Sequence, residues 1–438
     1  MKFYDRIKEI KQLRNIEAAS NDSSRFTVVS GRRRVGKTTL IREAYKDTPF
    51  LYFFVGRKAE SELCRTFAGI AEETLGIPFG SYEHFGDLFR AIMMIAKKQH
   101  VTMVIDEFQE FYRVNPSVYS DMQNYWDEYH TEAKINLVVC GSVNSLLNKI
   151  FKDKKEPLFG RQTDMIKVKP FTPSVLKEII GDLNPQYSKE DLLSLYLITG
   201  GVAKYVQLLS RQVLSHANMF DVVFEDESTF LTEGKTILIE EFGKDYGKYF
   251  SILSLIAQGH NTRGEIEDIL HFEVGGYLTK LIEDYEIIVK HQPLFEKSAN
   301  KNVRYVIEDK FLRFWFRYIH KYDYIIEAGG KDKLKQIVLK EYKTYSGLVL
   351  EDFFRDSMRE SGEYTRIGYW HDRKGENEID IIAEDELSKK LEIIEVKRQE
   401  SNIDYSILRS KADVFLKTIK HDFSKYDIKY KGFSLLEM

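Results

Sequence analysis

The segment Gly31-Arg32-Arg33-Arg34-Val35-Gly36-Lys37-Thr38 constrains this chain more than any other stretch. It matches G-x-x-x-x-G-K-[ST], and it lies between an apolar run, Phe26 to Val29, and a helical stretch, Thr39 to Tyr45. In that setting glycines let backbone N–H groups wrap phosphates, and the helix N-terminus adds its dipole. Such a loop needs a strand before it and a helix after it, so the chain must contain an α/β layer. The motif predicts an ATP site lined by Gly31, Arg32, Arg33, Arg34, Val35, Gly36 and Thr39. Lys37 would reach the β/γ-phosphates, and the Thr38 hydroxyl would ligate Mg²⁺.

Four further runs repeat the strand pattern: Leu51 to Val55, Val101 to Ile105, Asn136 to Cys140 and Asp164 to Val168. They are short, β-branched or aromatic, and separated by helix-length segments, as in a parallel sheet buried on both faces. The reading is a nucleotide-binding α/β domain over residues 1–170. The third run ends in Asp106-Glu107. Asp106 is expected to hold Mg²⁺, and Glu107 to polarise the attacking water. Ser142 ends the next strand, where a γ-phosphate sensor and a simple turn serine both fit. Arg161 precedes the fifth strand. It could act on a neighbour's γ-phosphate in a homo-oligomer, or form a structural salt bridge.

Beyond residue 170 the pattern becomes helical. Residues 171–230 read as a helical lid, with a Gly200-Gly201 break inside the helical stretch Ser188 to Leu209. Residues 231–325 read helix-helix-helix-strand-strand, the order of a winged helix. Ser298 to Asn302 would form the wing tip. Gly276 to Tyr285 would be the recognition helix, with Tyr277, Thr279 and Lys280 facing outward. DNA contact and a purely structural or protein-contact role both fit this domain. Residues 326–438 read helix (Tyr345 to Arg359), three strands, helix, strand. Strand alternation puts Glu395 and Lys397 on one face, and a hairpin linker lets Asp380 meet Glu395 across adjacent strands. Two carboxylates with a lysine make a Mg²⁺ site that can activate water for phosphodiester hydrolysis, and Glu351 on the preceding helix can add a third carboxylate. A charged surface hairpin is the plain alternative.

Composition narrows the classes. The chain is 43% hydrophobic and 30% charged, as a soluble globular protein is. A net charge of −3 exerts no global pull on nucleic acid, although residues 290–343 carry more Lys and Arg than Asp and Glu. Cys64 and Cys140 sit far apart in apolar contexts and read as reduced thiols of a cytoplasmic protein. Charges in Met1 to Arg6 precede any apolar run, so no signal peptide is expected. No apolar stretch approaches the ~20 residues that span a bilayer, so no membrane partner is expected.

Several segments together resemble the archaeal-type ATPase family of the AAA+/STAND group. They are Phe3-Tyr4-Asp5-Arg6 with Glu9 and Leu13, the Gly31 to Thr38 loop, Asp106-Glu107-Phe108-Gln109, and Leu158-Phe159-Gly160-Arg161 followed by Lys169-Pro170-Phe171. The resemblance covers roughly the first half of the chain. It implies ATP binding and hydrolysis, and it places Tyr4 and Arg6 near the adenine. The family's Gly-Gly-x-Pro turn appears as Gly200-Gly201-Val202-Ala203, without its proline. The C-terminal element order, with Glu351, Asp380, Glu395 and Lys397, resembles the PD-(D/E)xK nuclease superfamily, with Ile379 in the place of the proline. The combined expectation is an ATP- and Mg²⁺-dependent protein acting on DNA, in which an ATPase switch gates a nuclease-like domain. The alternative is an ATP-switched scaffold or regulator that binds DNA or protein without cutting.

Overall fold

The strand pattern around the glycine-rich loop is realised as β1 (Arg25–Ser30), β2 (Leu51–Phe54), β3 (Val101–Asp106), β4 (Ile135–Cys140) and β5 (Asp164–Lys167). They form one parallel sheet in the order β2-β3-β4-β1-β5 in the computed structural model, which describes residues 2–295, 303–372 and 375–438. Every residue of β3 and β4 is buried, because helices cover both faces. Alternation divides β3 between the two layers. Val101, Met103 and Ile105 pack with Phe67, Phe89 and Trp126 of one helical layer, while Val104 packs with Leu13, Leu40 and Ile41 of the other. The order sets β1 between β4 and β5, so the loop after β1 opens beside the carboxyl ends of β4 and β3, where open α/β sheets bind ligands.

The chain divides into two compact units, Asp5–Lys169 and Met1–Tyr4 with Pro170–Met438. The second begins with helices Pro173–Leu183, Lys189–Thr199, Ala203–Leu209, His216–Phe224 and Thr229–Phe242. Ser188 opens the second of these with a capping box, and Gly200 ends it in the left-handed region. Helices Tyr246–Gln258, Arg263–Leu270 and Gly275–Glu283 follow, then the antiparallel hairpin β6 (Ile288–His291) and β7 (Arg304–Ile307). The expected wing tip, Ser298 to Asn302, lies outside the described residues. Thr279 and Lys280 are exposed. Tyr277 instead packs its ring edge-on against Tyr249, 5.2 Å away, and accepts a hydrogen bond from Lys248. A large ring next to the apolar core gains more by covering it than by facing water.

The aromatic stretch Phe311 to Tyr324 does not form one continuous helix. It runs as Lys310–Phe314, a π-helical turn Trp315–His320 and Asp323–Glu327. Its rings are core, as their helical spacing predicts: Phe311, Phe314, Trp315, Phe316 and Tyr318 are buried. The next helix, Lys331–Ser361, starts fourteen residues before its expected start. Leu334, Val338 and Tyr342 are the reason: they bury one stripe of an otherwise charged first half.

The chain then forms β8 (Arg366–His371), β9 (Glu378–Asp385), β10 (Lys390–Val396), helix Tyr405–Thr418 and β11 (Asp427–Phe433). The sheet order is β11-β10-β9-β8, with β10 and β11 parallel and the other pairs antiparallel. Ile381, Ala383, Ile394 and Val396 join the core containing Val349 and Phe353 of the long helix. Ile382, Leu391 and Ile393 pack on Leu408, Ala412 and Phe415 of the last helix. Between Gly368, paired with Ile382, and Trp370, paired with Ile379, the ladder slips. Asp380 and Ile381 therefore oppose the single residue Tyr369, and β9 carries a bulge at Asp380. Among the described residues no helix is long and apolar enough to cross a membrane.

Candidate functional site

Strain marks the loop after β1. Gly31 has φ of 137°, Arg34 of 69° and Gly36 of 97°. A Cβ on Gly31 would fall 2.4 Å from the Val168 carbonyl oxygen, so no other residue fits there. Lys37 opens helix Lys37–Ala44, and its buried ammonium donates to the carbonyls of Gly31 at 2.7 Å and Arg32 at 2.9 Å, spanning the loop. Val35 is buried beneath the loop, and Thr39 is exposed one step beyond Thr38. Arg6, itself buried, donates to the Val35 carbonyl at 3.4 Å and the Lys169 carbonyl at 2.6 Å. It braces the loop from beneath.

Asp106 is the hub. Its carboxylate accepts from the Thr38 hydroxyl at 2.8 Å, the Tyr52 hydroxyl at 2.6 Å and the Cys140 thiol at 3.0 Å. Burial and the Asp106 charge push the Cys140 thiol well above its usual range, so it stays protonated and donates. Glu107 sits in the left-handed region, φ 56°, which swings its carboxylate to accept from the Ser142 hydroxyl at 2.7 Å and from the Gln109 amide. Ser142 therefore touches the residue expected to activate water. The hard oxygens of Thr38 and Asp106, beside the glycine loop, fit a Mg²⁺–nucleotide. Arg161 makes a two-point ion pair with Asp127, at 3.0 and 3.4 Å, and donates to the Phe159 carbonyl. Tyr4 belongs to the second unit, where its hydroxyl donates to Asp182 at 3.1 Å.

The second unit brings together the four C-terminal residues singled out from the sequence. Ile381 pairs with Ile394, so Asp380 and Glu395 come next across the ladder. The Lys397 ammonium lies 2.6 Å from Glu395 and 3.4 Å from Asp380. The Asp380 carboxylate also accepts the Val396 N–H at 2.7 Å. Glu351 reaches the cluster from the long helix, 3.5 Å from Arg355, which in turn donates to the Asp380 carbonyl at 3.0 Å. Burial and the Asp380 charge push the Glu351 carboxyl up to about 8. Burial and the Glu395 charge raise Asp380 as well. This crowding of hard carboxylates suits a divalent cation. Nevertheless, no group of three or more His, Cys, Asp or Glu around a common cation position exists among the described residues.

Sequence reasoning missed several partners. Lys411, on the last helix, pairs with Glu395 at 3.2 Å. Asp352 sits between Arg355, at 2.8 Å, and Arg313, at 2.5 Å. Burial alone would raise the Asp352 carboxyl, but the two guanidiniums hold it well below the usual range. Tyr52 and Gln109 were missed at the first site. Gln109 carried a signal, since it stands two residues after Glu107 in the Asp-Glu-Phe-Gln run. Lys411 carried none, because only the crossover of the last helix brings it to Glu395.

Residues 3–209 match a family described as an ATPase domain predominantly from Archaea, and residues 315–413 match archaeal and bacterial proteins of unknown function. The chain is 29% identical to the uncharacterized protein MJECL04 of Methanocaldococcus jannaschii over 405 residues, which is 90% of this chain and 87% of that protein. The fold resembles the Walker-type ATPase PABY2304 of Pyrococcus abyssi (TM-score 0.55, 19% identity, 72% of this chain and 96% of that one). It also resembles the ORC2 protein of Aeropyrum pernix (TM-score 0.52, 14% identity, 77% and 96%).

Proposed function

We propose that this chain, which carries a Walker-type ATPase domain in its first half, binds and hydrolyses ATP with Mg²⁺ and uses that cycle to gate a Mg²⁺-dependent nuclease-like site acting on DNA. In this reading residues 1–170 are the ATPase core, 171–230 the lid, 231–325 a winged helix and 326–438 the nuclease-like domain. Lys37 binds the β/γ-phosphates. Thr38 and Asp106 would hold Mg²⁺, which when bound would supply charge stabilisation to the transferred phosphoryl group. Glu107 takes up the proton of the attacking water, and Ser142 fixes the Glu107 carboxylate in place through their 2.7 Å hydrogen bond. Arg6 supports the loop rather than the base. Arg161 exchanges its ion pair with Asp127 for a neighbour's γ-phosphate in a homo-oligomer.

At the second site Asp380 and Glu395 would hold Mg²⁺, with Glu351 on the flanking helix, and Lys397 would orient the attacking water. The observation that carries this half is the meeting of Asp380, Glu395 and Lys397 at one point beside Glu351. A second reading also has an observation behind it. Glu395 is already neutralised by both Lys397 and Lys411, which suits a regulator that binds DNA or protein without cutting. Incubating the full chain with single- and double-stranded DNA and RNA in Mg²⁺ or Mn²⁺, with and without ATP, separates the two. Cleavage stimulated by ATP supports the first; ATP turnover with no cleavage of any substrate supports the second.

A further inference from the structure

The hairpin β6–β7 does not end at His291 in its influence on the fold. The His291 ring stacks on Tyr369 of β8, with centroids 3.8 Å apart and planes 23° from parallel. Three residues on, the Leu294 N–H donates to the Tyr369 carbonyl at 2.8 Å, at the edge of β8. The Leu294 side chain fills the space where a Cβ on Gly368 would lie, 2.6 Å from that position. Phe295 then anchors the segment in the last core, with its ring 5.4 Å from Phe423 and 6.0 Å from Phe415. Edge strands are often covered in this way to prevent stray pairing. Here the covered residue is also the one opposite the β9 bulge. Tyr369 faces Asp380 and Ile381 across the slipped ladder, and the Asp380 carboxylate caps the Val396 N–H next to Lys397.

We propose that the hairpin and its extension through Phe295 act as a strap: their grip on Tyr369 holds the bulge in register and so places Asp380 within the carboxylate cluster, and release of the strap uncouples Asp380 from Val396 and Lys397. The helical elements around the hairpin thereby gain a handle on the cluster. The consequence for cleavage rests on the nuclease reading, whereas the mechanical coupling does not.

The test is amide hydrogen exchange on the full chain, comparing wild type with Leu294→Ala and Gly368→Ala. The first variant removes the strap's side chain; the second fills its seat and leaves the hairpin sequence intact. Asp380→Asn sets the scale for loss of the charged cap on Val396. The strap predicts exchange roughly tenfold faster at residues 378–385 and at Val396 in both variants. Faster exchange confined to residues 288–295, or no change anywhere, overturns it. If Gly368→Ala fails to fold, Phe295→Ala gives the same reading from the anchor end. Absence of cleavage by the wild-type chain would defeat the nuclease reading while leaving this exchange result to stand or fall alone.

Discussion

In the proposed ATP cycle Lys37 and Glu107 carry separable duties, and substitution should separate them. The Lys37 ammonium is the cation that the loop directs across its own span. Lys37→Ala removes a charge-assisted contact worth about 1.5–3 kcal/mol, so ATP affinity should fall roughly 10- to 100-fold by titration calorimetry. Undiminished affinity would rule out the phosphate role. Glu107→Gln keeps the shape but cannot take a proton, so binding should persist while turnover falls below detection. Survival of turnover would remove Glu107 as the base. The C-terminal cluster makes a pH prediction. Glu351 is raised to about 8 by burial and Asp380, so a cation that takes Glu351 as a ligand must displace a proton near neutral pH. Mn²⁺ affinity measured by calorimetry should therefore rise as pH increases toward about 8 and be accompanied by proton release. Affinity independent of pH over that range would detach Glu351 from the cation.

At the scale of elements, the glycine loop and the hairpin each make a stability prediction. Gly31 combines φ of 137° with a Cβ position 2.4 Å from the Val168 carbonyl. Gly31→Ala should therefore lower the thermal midpoint of the ATPase unit and weaken nucleotide binding together. His291 is held neutral by burial and by Arg355 and other nearby cations, which push its pKa down to about 4 despite Asp352. Its folded value lies below its unfolded value, so its contribution is intact above about pH 6.5 and is lost as pH falls toward about 4, at a cost of about 3 kcal/mol. His291→Phe, which preserves the stack on Tyr369, should flatten that part of the stability–pH curve in urea titrations. An unchanged slope would show that His291 does not titrate on unfolding.

The elements also show what was readable beforehand. The central strands β3 and β4 were legible because each is buried on both faces, and the hairpin was legible because its strands alternate. The first half of helix Lys331–Ser361 was not, since Leu334, Val338 and Tyr342 are thin apolar signals among lysines. The β9 bulge was invisible, because one extra residue in a ladder leaves the composition of the strand unchanged. The approach of Asp380 to Glu395 was legible because adjacent antiparallel strands bring near-opposite residues together. Lys411 and the Arg313–Asp352–Arg355 series depend on helix placement, which local sequence does not encode.

For the whole molecule, the proposed function places two chemistries in one chain. Arg161 tests whether the first operates between copies. It is tied to Asp127 by a surface ion pair, and such pairs contribute only ~0–1 kcal/mol, so it can be released cheaply. Arg161→Ala should leave ATP binding intact and cut turnover, and mixing it with the Lys37→Ala chain should restore part of the rate. Turnover per chain that is independent of concentration in a strict monomer would exclude action in trans. The most direct test of the central claim reads ATP turnover and DNA cleavage in the same reaction, for wild type, Glu107→Gln and Asp380→Ala. The account predicts both activities in wild type, loss or constitutive release of cleavage control in Glu107→Gln, and near-normal ATP turnover without cleavage in Asp380→Ala. Cleavage that persists in Asp380→Ala, or wild-type ATP turnover with no cleavage of DNA under any metal condition, would contradict it.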